Sequence, residues 1–182
     1  PLQSGSAEIL GAMKRRYTKD RYEELVEEIR RRDHRAGIGA DVIVGFPGET
    51  PALFGETVDL LERMPLSYLH VFTFSERENT ASALMRNPVE PRERYHRSDA
   101  LRALGRRKRE AFHVSFLGEI LGVLLEQTSG GGATSGLTTN YIRVEVPEAG
   151  GLINQIVPVT ITGASDEGCT GTLGTRVPAA VA

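Results

Sequence analysis

The chain has 182 residues, 40% hydrophobic and 25% charged, with a formal net charge of −2. That balance belongs to a folded globular protein and excludes wholesale disorder, and no apolar run approaches the roughly 20 residues a membrane-spanning helix needs. A single cysteine, Cys169, excludes an internal disulfide framework and a multi-cysteine metal site built from this chain, and fits a reducing, cytoplasmic compartment. His34, His70, His96 and His113 stand at no metal-ligand spacing, so no metal ligand is assigned. Pro1 stands where a methionine is expected, so the chain reads as cut or processed at its N-terminus.

In chain order, Thr18 is an N-cap candidate, and Tyr22, Leu25, Val26 and Ile29 recur on one helix face, with Gly37 as the stop. Ile38 to Gly45 is short and apolar apart from Asp41, the pattern of a parallel strand buried on both faces. Thr50 as N-cap and Pro51 at the first helical position open a second helix. Its inner stripe is Leu53, Phe54, Thr57, Leu60, Leu61 and Met64, and Pro65 ends it. Tyr68 to Ser75 is the next strand. Pro91 then begins a long charged helix to about His113, with Leu101, Leu104 and Phe112 inward. This βαβα order predicts a parallel α/β layer. Some 115 residues supply only part of a (β/α) barrel, which takes about 250, so partner strands are expected upstream of Pro1.

Charge and pattern change near residue 115. Between Arg92 and His113, eight Lys or Arg face Glu93, Asp99 and Glu110; from Phe116 onward two arginines face six acids. The basic helix is either a solvated face or a contact for RNA phosphates. Beyond the change the character is all-β: Glu119–Glu126, Thr139–Val146 and Ile153–Thr162 are strand-like, separated by SGGGATSG, PEAGG and ASDEG. Four or five short strands predict a small OB-like barrel. The predicted organisation is an α/β part (1–115), a β-barrel (116–176) and a disordered tail (177–182).

Four stretches carry candidate chemistry. In DVIVGFPGET a strand runs through a Gly-Pro-Gly turn into a capped helix. Ligands of α/β proteins bind at such strand ends, and Gly45 and Gly48 let backbone approach them closely. The same turn also occurs with no ligand, but an acid such as Asp41 inside an apolar strand needs a partner. In PLQSGS, Gln3 and Ser4 can bond sugar hydroxyls or a carboxylate, while Ser6 reads as an N-cap. In MKRRYT, Arg15 and Arg16 suit anions or form a solvated face. In HVFTFSERENT a strand ends at Ser75 before a polar loop with Arg77 and Thr80, and His70, at the strand's beginning, reads as structural. Cys169 reads as packed or idle.

Taken in this order, PLQSGS, MKRRYT, DVIVGFPGET and HVFTFSERENT resemble the radical S-adenosylmethionine methylthiotransferases, and TTNYIRVEV with INQIVPVTI looks like the TRAM domain that ends them. The resemblance implies the C-terminal part of a radical S-adenosylmethionine barrel plus a TRAM barrel. It implies S-adenosylmethionine and two 4Fe–4S clusters as cofactors of the parent enzyme, whose cluster cysteines are not in this chain. It implies methylthio transfer to carbon 2 of a modified adenosine beside the anticodon. The partners implied are the tRNA anticodon stem-loop and an electron donor, with no membrane. Carried over by position, the cofactor-binding residues are Gln3, Ser4, Arg15, Asp41, Ile43, Gly45, Phe72 and Ser75; Asp41 stands where many radical enzymes have glycine, and Glu49 falls one place late. Arg77, Asn140, Tyr141 and Arg143 are the candidate RNA contacts, and no catalytic residue is assigned.

Ser4 and Arg77 replace a histidine and an acid usual in the ribosomal-protein branch, which points to tRNA. LHVF resembles the enzymes acting on threonylcarbamoyladenosine more than those acting on isopentenyladenosine. The alternatives are the isopentenyladenosine enzyme, the ribosomal-protein enzyme and a non-catalytic RNA-binding module. The chain alone is expected to be inactive, and unpaired strand edges make self-association an expectation as well.

Overall fold

Thr18 and Thr50 each open a helix. In the computed structural model, which describes residues 1–77, 80–128 and 132–174, the Thr18 hydroxyl accepts from the Arg21 N–H at 3.2 Å and the Thr50 hydroxyl from the Leu53 N–H at 3.3 Å. Each satisfies one amide donor left over at a helix start. The elements are α1 (Ala7–Ala12), α2 (Lys19–Arg32), β1 (Gly39–Val44), α3 (Pro51–Arg63), β2 (Tyr68–Thr73), a 3-10 turn (Ala81–Leu84) and α4 (Pro91–Val114). After them come β3 (Ile120–Thr128), β4 (Thr134–Thr138), β5 (Arg143–Val146), a 3-10 turn (Gly150–Leu152), β6 (Ile156–Ala164) and β7 (Cys169–Leu173). The chain divides into two compact units, Pro1–Arg106 and Arg107–Ala182, a division that falls inside α4. The expected disordered tail, 177–182, lies outside the described residues.

In the first unit β1 and β2 pair in parallel, from Gly39 against Tyr68 to Val44 against Thr73. Gln3 forms a parallel bridge to Val42, its N–H donating to the Asp41 carbonyl at 2.8 Å and its carbonyl accepting from the Ile43 N–H at 2.9 Å. Three chain segments therefore run side by side in one direction. Ala40, Val42 and Val44 of β1 share a core with Leu60, Leu61 and Met64 of α3, Leu101 and Leu104 of α4, and Val26 of α2.

Three expectations are corrected here. β1 is not buried on both faces: its residues alternate between buried and half-buried, because the helices of this unit cover one face only. The other face carries Asp41 and Ile43 of β1 beside His70 and Phe72 of β2, with Phe72 53% exposed. In α2 only Val26 is fully inward, while Leu25 and Ile29 are exposed at 45% and 37%. That helix also stops at Arg32, before Gly37, because the Asp33 carboxylate accepts from the Arg35 N–H at 2.8 Å and turns the chain.

In the second unit β3-β4-β5-β7-β6 close into a five-stranded barrel, the strand number of the OB-fold. All neighbours are antiparallel except β5 and β7. Val123, Leu125, Ile142, Val144, Val146, Val159 and Ile161 fill it, with Phe116 stacked edge-on to Phe112 at 5.2 Å. Strand limits differ from expectation in three places. β4 takes up the end of the glycine-rich stretch, since Gly136 lets two strands approach: a Cβ there would meet the Leu124 carbonyl at 2.2 Å. Thr139–Val146 is broken by a turn in which the Ile142 N–H donates to the Thr138 hydroxyl at 2.9 Å. β7 lies beyond the strands read from sequence.

Candidate functional site

The parallel register brings the ends of three segments to one edge: Gln3 and Ser4, then Val44 and Gly45, then Thr73 to Ser75. Gly45 holds φ 77° and Gly48 φ 88°, the left-handed region where glycine is unstrained. A Cβ at Gly45 would strike Arg94 Cγ at 2.4 Å, whereas one at Gly48 would meet nothing within 4 Å. The turn is thus packed on one side and open on the other.

Three residues that sequence reasoning did not place hold this turn. The Glu49 carboxylate accepts from the Gly45 N–H at 2.7 Å and from Arg97 Nη1 at 2.8 Å, with both side chains buried. Arg97 also donates to the Glu49 carbonyl at 2.7 Å and to Glu93 at 2.9 Å. Burial pushes the Glu49 carboxyl above its ordinary range, against the opposing pull of the Gly45 amide and the Arg97 guanidinium. Arg94 donates to the carbonyls of Val89 and Phe74 and to Glu76, and lies over the Phe74 ring at 5.5 Å. Two cations of the apparently solvated helix are therefore structural, and the only sequence signal was the i, i+4 spacing of Glu93 and Arg97. A hollow of about 260 Å³ lies beside the turn, lined by residues that include Gly48, Asn87 and Arg97.

The remaining candidates fall as follows. Gln3 is buried with φ 71°, and its side-chain carbonyl accepts from Arg15 Nη2 at 3.0 Å, which joins these two candidates. Ser4 is fully buried; its hydroxyl lies 3.2 Å from the Thr57 hydroxyl and accepts from the Ser6 N–H. Its side chain is committed to the framework. Asp41 finds its partner in His70, with Oδ1 and Nδ1 3.0 Å apart on the helix-free face. That places His70 in the middle of β2, directly across from Asp41. Ile43 and Phe72 are paired one step nearer the strand ends, and Ser75 and Arg77 are exposed in the following loop. In the second unit, Asn140 and Tyr141 lie in the turn between β4 and β5, and Arg143 closes it as the first residue of β5. Tyr141 is 84% exposed with φ 64°, and Arg143 donates to the Ser135 hydroxyl at 3.3 Å.

These features define a protein with a parallel α/β layer, three strand ends along one edge of it, and a small closed β-barrel. No protein-family model matches the chain. It is 36% identical over 164 residues to the tRNA-2-methylthio-N(6)-dimethylallyladenosine synthase of Syntrophotalea carbinolica, covering 89% of this chain and 37% of that one. It is 36% identical over 159 residues to the threonylcarbamoyladenosine tRNA methylthiotransferase MtaB of Aquifex aeolicus, covering 86% and 38%. A second dimethylallyladenosine synthase, from Maricaulis maris, is 35% identical over 174 residues, covering 95% and 38%. The chain belongs to the radical S-adenosylmethionine methylthiotransferase family. It spans between 37% and 38% of the length of these relatives.

Proposed function

We propose that this chain is the C-terminal part of a tRNA methylthiotransferase: a closing segment of a (β/α) barrel, residues 1–115, followed by a TRAM-like barrel, residues 116–176. One observation carries the reading. Three parallel segments end along a single edge, beside a sheet face that no helix of the unit covers. In a (β/α) barrel the helices form the outer ring, the opposite face points inward, and ligands sit at the carboxyl ends of the strands.

S-adenosylmethionine fits those ends chemically. The open turn at Gly48 leaves room for a nucleoside against backbone, exposed Phe72 with Ile43 offers apolar surface, and the linked Gln3 and Arg15 offer donors for a carboxylate. When bound, this cofactor supplies the radical and the methyl group. Arg94, Arg97 and Glu49 keep the turn in shape, and Ser4 secures the start of α1 against Thr57 of α3. The 4Fe–4S clusters do not fit this chain's residues: Cys169 is its one cysteine and is buried, and the described residues hold no group of three His, Cys, Asp or Glu placed for a metal. Their ligands belong to other parts of the parent enzyme.

Arg77 in the loop after β2, and the Asn140–Tyr141–Arg143 turn, are the RNA contacts in this reading, Tyr141 by stacking on a base. The substrate is an N6-modified adenosine beside the anticodon, and threonylcarbamoyladenosine is the assignment adopted. No helix of the described residues is long and apolar enough to cross a membrane.

The test is genetic. The gene encoding this chain is deleted, and the 2-methylthio derivatives of threonylcarbamoyladenosine and isopentenyladenosine are measured in bulk tRNA by mass spectrometry. Loss of one derivative, restored by the wild-type gene and not by one carrying Arg77→Glu, is expected. If both derivatives are unchanged by the deletion, the reading fails.

A further inference from the structure

The helix-free face of the β1–β2 sheet is apolar at the strand ends, where Ile43 pairs with Phe72, and polar one step back, where Asp41 pairs with His70. The Asp41–His70 contact is 3.0 Å, and the two side chains are 40% and 60% exposed. An ionised carboxylate only accepts, so the Nδ1–H of His70 donates to Asp41. That bond fixes the imidazole and leaves Nε2 as its remaining polar atom, with no hydrogen-bond partner among the described residues. The Tyr68 ring lies 5.2 Å from the imidazole, tilted 49° to it. The pair is thus oriented, reachable and set beside the strand ends that line the proposed site.

From this geometry we infer that Asp41 and His70 determine which adenosine the enzyme accepts, selecting an N6 substituent that carries hydrogen-bonding groups over one that is pure hydrocarbon. The inference rests on the methylthiotransferase reading and adds the residues that set its specificity. Its physical basis is an asymmetry of desolvation. A carbamoyl, hydroxyl or carboxyl substituent replaces the water that the pair loses, by bonding Nε2 or the free carboxylate oxygen. A dimethylallyl group removes the same water and returns nothing, so buried polar groups are left unpaired. Sites built to bond a polar group reject the analogue lacking it strongly, whereas an apolar pocket discriminates weakly against an added polar group. Apolar surface alone would form the second kind of pocket. His70 and Asp41 make it the first kind.

The experiment uses the full-length enzyme in a strain lacking its own methylthiotransferases, with both modified adenosines present in the tRNA pool. The ratio of methylthiolated threonylcarbamoyladenosine to methylthiolated dimethylallyladenosine is read by mass spectrometry, so the amount of active enzyme cancels. The wild type is expected to favour the threonylcarbamoyl product. His70→Phe should lower that ratio by at least about tenfold. His70→Gln, whose amide reaches the place of Nε2, should keep it within about threefold of wild type. An unchanged ratio in His70→Phe, or a wild type that prefers the dimethylallyl product, overturns the inference and leaves the methylthiotransferase reading standing. Loss of both products in His70→Phe and His70→Gln alike also overturns it, since the residue would then be structural. A wild type that forms neither product overturns both.

Discussion

Arg97 and Glu49 form a buried ion pair whose members are not equivalent. Glu49 keeps the Gly45 amide as a partner if Arg97 is lost, but its charge is then left buried without a counter-ion. Breaking a buried pair in this way costs several kcal/mol. Arg97→Ala should therefore destabilise the first unit by about 3 kcal/mol, read as faster amide exchange in β1, while Glu49→Gln should cost less. The pH dependence has a defined sign. Because burial raises the Glu49 carboxyl above its ordinary value of 4.5, the folded chain holds a proton that the unfolded chain has released over the window between the two. Its contribution to stability is intact below pH 4.5 and is lost as pH rises through the raised value, and Glu49→Gln should flatten that slope. Cys169 gives a second prediction. Burial pushes its thiol up to about 11, so at pH 8 alkylation should be slow in the native chain and fast in denaturant. Equal rates would show that the barrel does not enclose it.

At the scale of elements, close approach explains residues that composition would assign to loops. Gly5 sits where a Cβ would lie 2.6 Å from the Thr57 Cα, and its N–H donates to the Thr57 hydroxyl at 3.0 Å. Gly5→Ala should push α1 from α3, lowering the melting temperature of the first unit while the barrel's amide protection is unchanged. Gly45→Ala combines a left-handed φ with a clash against Arg94 Cγ, whereas Gly48→Ala has only the φ to overcome. The first variant should cost more stability than the second, by calorimetry. The caps at Thr18 and Thr50, the order of the elements in the first unit and the end of β1 at a glycine turn could all be read directly, because each depends on neighbours in sequence. The exposure of Leu25 and Ile29 could not, since 3.6-residue periodicity marks a possible buried face without saying what packs there.

For the whole molecule, the proposed division of labour has a simple chemical consequence. A single cysteine cannot supply three cluster thiolates. The purified chain, reconstituted anaerobically with iron and sulfide, should bind less than one iron per chain; stoichiometric iron with a cluster absorption would contradict the assignment. Among the described residues no strand pairs with the outer edge of β2. An unpaired parallel edge favours added strands. The isolated chain should therefore show concentration-dependent self-association in sedimentation, and a monomer at all concentrations would mean the edge is protected.

The sequence by itself determined the parts that local chemistry decides: the helices and parallel strands of the first unit, where Gly45 turns, the change to β structure after α4, and the motifs that carry the family. Tertiary structure alone decided that one sheet face is bare, that Asp41 is answered by His70, that Ser4 is consumed by Thr57, and that Arg94 and Arg97 leave solvent to brace a turn. Each of these joins residues between 20 and 53 positions apart. Charge and periodicity in one segment say that a group needs a partner; only the folded chain says which group that partner is.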